Sequence, residues 1–337
     1  MSIRQFLPAG PLGFGTAPLG NMFRDIPEDE ALATVEAAWG QGSRYFDTAP
    51  FYGAGLAEIR LGKVLAKHKR DEYVLSSKVG HLVLDEIETG ERDFGEKGGL
   101  FAFGRPNKVV VDYTDAGTRQ SIEGSLARMD VGHLDFVWVH DLAADFLGDA
   151  WVDQFEIAHK GAFKTLDRMR DEGTIKGWGL GVNKVEPIVK LLALDDVRPD
   201  GMLLAGRYTM LDHASALDSL MPTAAAKHVD IVVGGPYSSG ILAGGKHFEY
   251  QEASPEIVAR VERMKALAEK HGVPIKAAAV QFVLANPAVG AVIPGASKPS
   301  RIAEDHAALK AVIPDAFWRD LRDQGLVDAR APLPIDR

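Results

Sequence analysis

Eight times along this chain a short apolar run is followed by a segment with helically spaced apolar residues, and no other feature constrains the fold as tightly. The apolar runs occupy residues 12–15, 44–47, 73–79, 135–139, 176–182, 202–206, 230–234 and 290–293. Helices are expected at 28–39, 55–67, 161–172, 185–193, 214–226, 256–271 and 275–284, with one more starting at Asp115 as its N-cap. Leu32, Val35 and Trp39 share one face after Pro27, and Ile122, Leu126 and Met129 share another. Gly173 closes the 161–172 helix. Such strict alternation fits a closed (β/α)8 TIM barrel better than an open doubly wound sheet. A length of 337 residues would allow two domains, but no linker or low-complexity tract divides the chain. A single barrel domain over 1–337 is therefore expected. Two connections, 80–113 and 140–160, exceed ordinary loop lengths and read as long functional loops at the C-terminal face.

Several function classes drop out on composition. With 38 Lys and Arg against 47 Asp and Glu, the formal charge is −9, so nucleic acid and anionic membranes are poor partners. No apolar run approaches the roughly 18 residues of a membrane span, and the first residues lack the apolar core of a signal peptide. Cysteine is absent, which excludes disulfides, thiolate metal sites and a cysteine nucleophile. A soluble, cytoplasmic protein acting on a small molecule is expected.

Familiar motifs fail on inspection. Residues 240–247 match a phosphate loop except at the last position, where His247 replaces the magnesium-binding hydroxyl. Neither Gly13–Gly15 nor Gly177–Gly179–Gly181 completes a dinucleotide fingerprint. There is no His-x-His, His-Glu-x-x-His or Gly-x-Ser-x-Gly, so neither a metal nor a serine nucleophile is expected.

In a barrel of this kind chemistry sits where strands end. The second strand ends in Asp47-Thr48-Ala49, followed by Tyr52-Gly53; the third ends in Ser77-Lys78, the fourth in His140-Asp141 and the fifth in Val182-Asn183. Each has a plain structural explanation alone: a carboxylate on loop amides, a solvated lysine, a packing tyrosine, a core histidine. Four such groups at successive strand ends are hard to explain that way.

These residues resemble the aldo-keto reductases, a family of NAD(P)-dependent barrel oxidoreductases. The match runs from Gly13-Phe14-Gly15-Thr16 through Asp47-Thr48-Ala49, Tyr52-Gly53, Lys78, His140 and Gly181-Val182-Asn183 to Ile293-Pro294-Gly295-Ala296-Ser297 and Arg301. By resemblance, Asp47, Tyr52, Lys78 and His140 take the places of the catalytic tetrad. The chemistry is coherent: tyrosine, with an ordinary pKa near 10, needs help to exchange a proton at neutral pH. A nearby Lys78 ammonium, oriented by Asp47, would stabilise its phenolate, and His140 would direct the substrate oxygen.

The resemblance further implies a nicotinamide cofactor lying across the barrel mouth. Asn183 would bind its carboxamide, Tyr237, Ser238, Ser239 and Gly240 its pyrophosphate, and Gly295, Ala296, Ser297, Arg301 and Asp305 its adenosine side. Gly295 and Asp305 replace the lysine and asparagine of several NADPH enzymes, and Lys298 and Arg301 are balanced by Glu304 and Asp305; NAD is expected over NADP. Gly234 stands where many relatives stack an aromatic ring, and Ala205 where an amide is usual. Stretches 137–141, 203–208 and 234–242 resemble the branch of L-fucose (D-threo-aldose), L-galactose and pyridoxal 4-dehydrogenases, which oxidise a cyclic hemiacetal to a lactone. Phe101, Phe103 and Tyr113 are expected in the substrate wall. A broad NADPH-dependent carbonyl reductase, or a non-catalytic regulatory subunit, would be the alternatives.

Overall fold

A computed structural model of the chain describes residues 2–89 and 99–336; part of the 80–113 connection, residues 90–98, lies outside them. Strands β1 (Phe14–Gly15), β2 (Tyr45–Asp47), β3 (Val74–Val79), β4 (Phe136–His140), β5 (Gly177–Val182), β6 (Gly201–Ala205), β7 (Asp230–Gly234) and β8 (Val289–Ile293) form one parallel sheet in chain order. Parallel bridges Leu12↔Val292 and Gly15↔Gly295 join β8 back to β1, with Gly15 N donating to Pro294 O at 3.0 Å. The sheet therefore closes, and the (β/α)8 expectation holds. Among the described residues no helix is long and apolar enough to cross a membrane.

The helices follow from the spacing that announced them. Glu28–Gly40, Leu56–Leu65, Asp115–Met129, Lys164–Asp171, Val185–Leu192, Met221–Lys227 and Ile275–Ala285 alternate with the strands and shield their outer faces. Gly173 follows its helix with a φ of +77°, the left-handed value that a glycine stop supplies. The expected N-cap is one residue out. Thr114, not Asp115, caps its helix, its Oγ1 accepting from Gly117 N at 3.1 Å. Asp115 instead sits in the first turn, where a carboxylate favours the helix dipole.

The two long connections also differ from plain loops. Residues 80–113 carry an antiparallel hairpin, His81–Ile87 with Asn107–Val111, for which Val83, Val109, Val110 and Val111 have the β-branched side chains. The 140–160 stretch is largely helical, with Ala144–Leu147 and Trp151–Ala158 running through a wide turn at His159–Phe163 into the next helix. Trp151 and Phe155 are four apart, and the Phe155 ring lies 5.3 Å from Phe163, so this face packs inward.

Two apolar layers result. One lies between the barrel and its helices; the other fills the barrel interior with Ile3, Tyr45, Val74, Phe136, Trp138, Leu203, Val232 and Ile293. That plug leaves only the C-terminal rim open to chemistry.

Candidate active site

Register decides which polar groups meet. β2 and β3 pair Asp47 with Ser76, and β3 and β4 pair Lys78 with Trp138. Lys78 Nζ donates to Asp47 Oδ2 at 2.6 Å and to Thr48 O at 2.7 Å. The other carboxylate oxygen, Oδ1, accepts from Ser76 Oγ at 2.7 Å and Trp138 Nε1 at 3.1 Å. A buried ion pair persists only when its remaining hydrogen-bonding capacity is met, and here the carboxylate is well supplied. Sequence reasoning missed Ser76 and Trp138, although strand alternation puts both on the inward face with Lys78.

Tyr52 stands on the turn after β2. The Lys78 ammonium lies 4.7 Å from its ring centroid, and the His140 ring is 5.7 Å away at 84°. Burial, reinforced by the Asp47 and Asp141 carboxylates, pushes the phenol well above the usual tyrosine range. The ammonium is already engaged by Asp47 and the Thr48 carbonyl, so the surrounding carboxylates and desolvation dominate. The Tyr52 phenol is therefore neutral at neutral pH.

His140 ends β4. Burial, with Lys78 and His81 nearby, pushes its pKa well below the usual histidine range, so the ring is neutral. Its Nδ1 is buried and has no hydrogen-bond partner among the described residues, while Nε2 faces Asp141 Oδ2 at 3.6 Å. We assign the proton to Nε2 on that basis, since an orphaned N–H is rarer than an orphaned acceptor. The same Asp141 oxygen bonds His81 Nε2 at 3.1 Å. Polar atoms of His81, His140 and Asp141 lie within 4.8 Å of one another, a spacing a metal ion could use. The bare Nδ1 lacks the second-nitrogen partner that metal-bound imidazoles almost always have. The trio is thus a hydrogen-bonded His81–Asp141 pair with the His140 ring beside it.

A cavity opens between these groups. Phe51, Phe101 and Phe146 line it together with Tyr52, His140, Asp141 and Asn183. Of the three expected wall residues only Phe101 is in place. Phe103 is 54% exposed, and Tyr113 is fully buried behind His140, donating from its hydroxyl to His140 O at 2.7 Å. Phe51 was legible as the neighbour of Tyr52 on the same turn; Phe146 was hidden in a stretch read as loop.

The cavity shares Tyr52, Ala205 and Tyr250 with a longer groove running past β1, β7 and β8. Tyr237, Ser239, Gly240, Gly295, Ser297, Arg301 and Asp305 line that groove, while Asn183 lines the cavity at its inner end. Ser238 and Ala296 do not reach it: the Ser238 hydroxyl donates to Thr209 Oγ1 at 2.8 Å, and Ala296 is fully buried. Tyr237 donates to Asp305 Oδ1 at 2.6 Å, and Lys276 lies 2.9 Å from both Asp305 and Glu304. A groove flanked by Arg24, Lys276 and Arg301 and meeting the cavity beside Tyr52 fits a dinucleotide, whose phosphates are anionic and whose nicotinamide is flat.

Comparison with known proteins agrees with this geometry. Residues 11–324 match the aldo/keto reductase family model. Pyridoxal 4-dehydrogenase of Microbacterium luteolum is 36% identical, covering 96% of each chain, and D-threo-aldose 1-dehydrogenase of a Pseudomonas species is 34% identical, covering 94% of each. An L-galactose dehydrogenase of Arabidopsis thaliana is 28% identical over 90% of this chain and 85% of its own. The holo form of aldo-keto reductase AKR11C1 from Bacillus halodurans shares the fold, with a TM-score of 0.70 at 21% identity over 97% of this chain and 95% of that one. With its closed barrel, its rim of Asp47, Tyr52, Lys78 and His140, and a family match along nearly its whole length, this chain belongs to the aldo/keto reductase family of NAD(P)-dependent oxidoreductases.

Proposed function

We propose that this enzyme oxidises a cyclic hemiacetal to the corresponding lactone, with NAD preferred over NADP and Tyr52 as the group that moves the proton. The observation that carries this reading is the juxtaposition of the Tyr52 phenol and the neutral His140 ring in a cavity walled by Phe51, Phe101 and Phe146. A bound nicotinamide would supply the hydride acceptor for the hemiacetal carbon. Tyr52 exchanges the hydroxyl proton as the C–O bond becomes a carbonyl, and His140 Nε2–H donates to the same oxygen to fix its direction. Lys78 and Asp47 hold the floor beneath the phenol. Asn183 at the inner end of the groove and Tyr237, Ser239, Arg301 and Asp305 along it are the residues proposed to hold the cofactor.

An L-fucose- or L-galactose-type aldose is the leading substrate, in line with the D-threo-aldose relative. Pyridoxal, in its internal hemiacetal form, is a second reading. It is favoured by the three phenylalanines, which suit a flat pyridine ring, and by Asp141 as a partner for a ring N–H. A cysteine-free, acidic chain supports a cytoplasmic setting.

The test is a substrate panel of L-fucose, L-galactose, D-arabinose, pyridoxal and 4-nitrobenzaldehyde, assayed with each cofactor. Tyr52→Phe should lose about 10²–10⁴ in turnover while NADH binding, followed by fluorescence, is retained. Turnover of 4-nitrobenzaldehyde alone would replace this reading with a general carbonyl reductase.

A further inference from the structure

Small residues thin one wall of the barrel mouth. Gly234 and Ala205 sit side by side at the ends of β7 and β6, and a Cβ on Gly234 would lie 3.3 Å from that of Ala205. Space is left above the cavity where a larger side chain would otherwise project. Tyr250 lines the same groove as Gly234 and Ala205. It comes from a different element, the short hairpin His247–Phe248 with Gln251–Glu252, and it lines both the catalytic cavity and the cofactor groove.

Several contacts fix this hairpin across the groove. The His247 ring stacks on Phe23 from the opposite bank, with centroids 4.9 Å apart and planes at 6°. Tyr250 N donates to Ser239 Oγ at 3.1 Å. Glu249 and Tyr250 both hold left-handed backbone, with φ of +51° and +67°, which non-glycine residues keep only where their surroundings demand it. Arg207 completes the array. One guanidinium donates through Nε to the Asn183 carbonyl at 2.8 Å and through Nη1 to Asp212 at 2.8 Å and to Glu249. The residue at the inner end of the groove and the residue preceding Tyr250 thus share one planar, pre-organised fork.

We propose that Tyr250 is a substrate-positioning residue, donating a hydrogen bond to a substrate oxygen other than the one on the reacting carbon, and that Arg207 couples its placement to the nicotinamide end of the groove. The phenol lies near Tyr52, Asp141 and Asp145, and burial keeps it in its neutral, donating form. A ligand bearing ring hydroxyls meets Tyr52 and His140 at its reacting carbon and Tyr250 at another ring hydroxyl in the same cavity. This rests on the hemiacetal reading for the class of ligand, while the Arg207 coupling depends only on cofactor binding.

The experiment measures KM and kcat of wild type, Tyr250→Phe and Tyr250→Ala on the hydroxylated substrate that wild type turns over best and on 4-nitrobenzaldehyde, which has no ring hydroxyl. NADH dissociation constants are measured in parallel for these proteins and for Arg207→Ala and Arg207→Lys. Losing one neutral hydrogen bond should raise KM for the hydroxylated substrate roughly fivefold more than for 4-nitrobenzaldehyde in Tyr250→Phe, with little change in NADH affinity. Arg207→Ala should weaken NADH several-fold and raise KM as well, and Arg207→Lys should rescue neither fully. Equal KM changes for the two substrates in Tyr250→Phe would overturn the hydroxyl's role, and unaltered NADH affinity in Arg207→Ala would overturn the coupling. Failure of the hemiacetal reading shows separately, as wild-type turnover of 4-nitrobenzaldehyde alone.

Discussion

The Tyr113 ring fills the space where any residue but glycine at position 80 would carry its Cβ. A Cβ on Gly80 would lie 2.2 Å from Tyr113 Cε1, and Gly80 has a φ of +103°. The glycine directly after β3 thus lets Tyr113 reach the His140 carbonyl from behind, and so holds a residue of the rim from outside the cavity.

Gly80→Ala combines left-handed strain with overpacking, each of order 1–3 kcal/mol, and should destabilise by about 2–5 kcal/mol in urea unfolding. Tyr113→Phe keeps the ring and strands one buried carbonyl, so about 1–3 kcal/mol is expected with a fall in kcat. If Tyr113→Phe leaves both stability and kcat unaltered, the contact does not position His140.

How much of this was legible beforehand depended on the type of signal. The barrel followed from alternation, because period-2 and period-3.6 patterns survive without knowledge of tertiary contacts. Asp47, Tyr52, Lys78 and His140 were legible because strand ends converge in this architecture. That the Ser238 hydroxyl turns onto Thr209, 29 residues away, is a tertiary contact no sequence pattern carries. Tyr250 carried no signal at all: its role depends on a hairpin folding back over the groove. Likewise the glycine-rich 240–247 stretch forms a short 3₁₀ turn at Ile241–Ala243, with left-handed Gly240 and Gly244 at its ends, rather than the start of a long helix.

Lys78→Met tests the buried pair directly. With Asp47 and Lys78 side chains 3% and 1% exposed, removing the cation leaves an uncompensated carboxylate, and a loss of about 3–5 kcal/mol is expected. The double variant Asp47→Asn/Lys78→Met should recover most of that loss, since no buried charge remains. A double variant no more stable than the single one contradicts the pairing argument.

The elevated Tyr52 pKa has a direction that can be checked. Oxidation requires the Tyr52 phenolate, which accepts the substrate hydroxyl proton and becomes the phenol, so its rate should climb with pH from about 7 to about 10 without levelling off, whereas reduction, served by the neutral phenol, should not climb. Asp141 is one of the charges raising that pKa. Asp141→Asn removes a negative charge, favours the phenolate, and should move the alkaline limb of oxidation to lower pH. A limb that stays put or moves upward rules out this electrostatic account.

The proposed preference for NAD is argued from the ion pairs around Lys276. Its ammonium lies 2.9 Å from both Glu304 Oε2 and Asp305 Oδ1, so the three together carry one net negative charge beside the groove. A 2′-phosphate brings about two more negative charges and should be disfavoured there, whereas the two hydroxyls of an unphosphorylated ribose can donate to carboxylates. NADH should therefore bind more tightly than NADPH, as measured by fluorescence titration. The obvious conversion, Gly295→Lys, is a poor test, because a Cβ at Gly295 would lie 3.1 Å from Pro18 Cγ and Cδ and would crowd the β1–β8 seam. Asp305→Asn is also compromised, since Asp305 holds the Tyr237 hydroxyl and its loss should affect both cofactors. Glu304→Gln is cleaner: the side chain is 55% exposed and the change alters one charge with little change in shape. Releasing Lys276 from Glu304 should improve NADPH binding about five- to tenfold relative to NADH, the scale of one partly screened charge. The gain should shrink as salt is raised. Tighter NADPH binding by the unmodified enzyme, or a Glu304→Gln variant with an unchanged NADH-to-NADPH ratio, would show that the Lys276 cluster does not read the ribose.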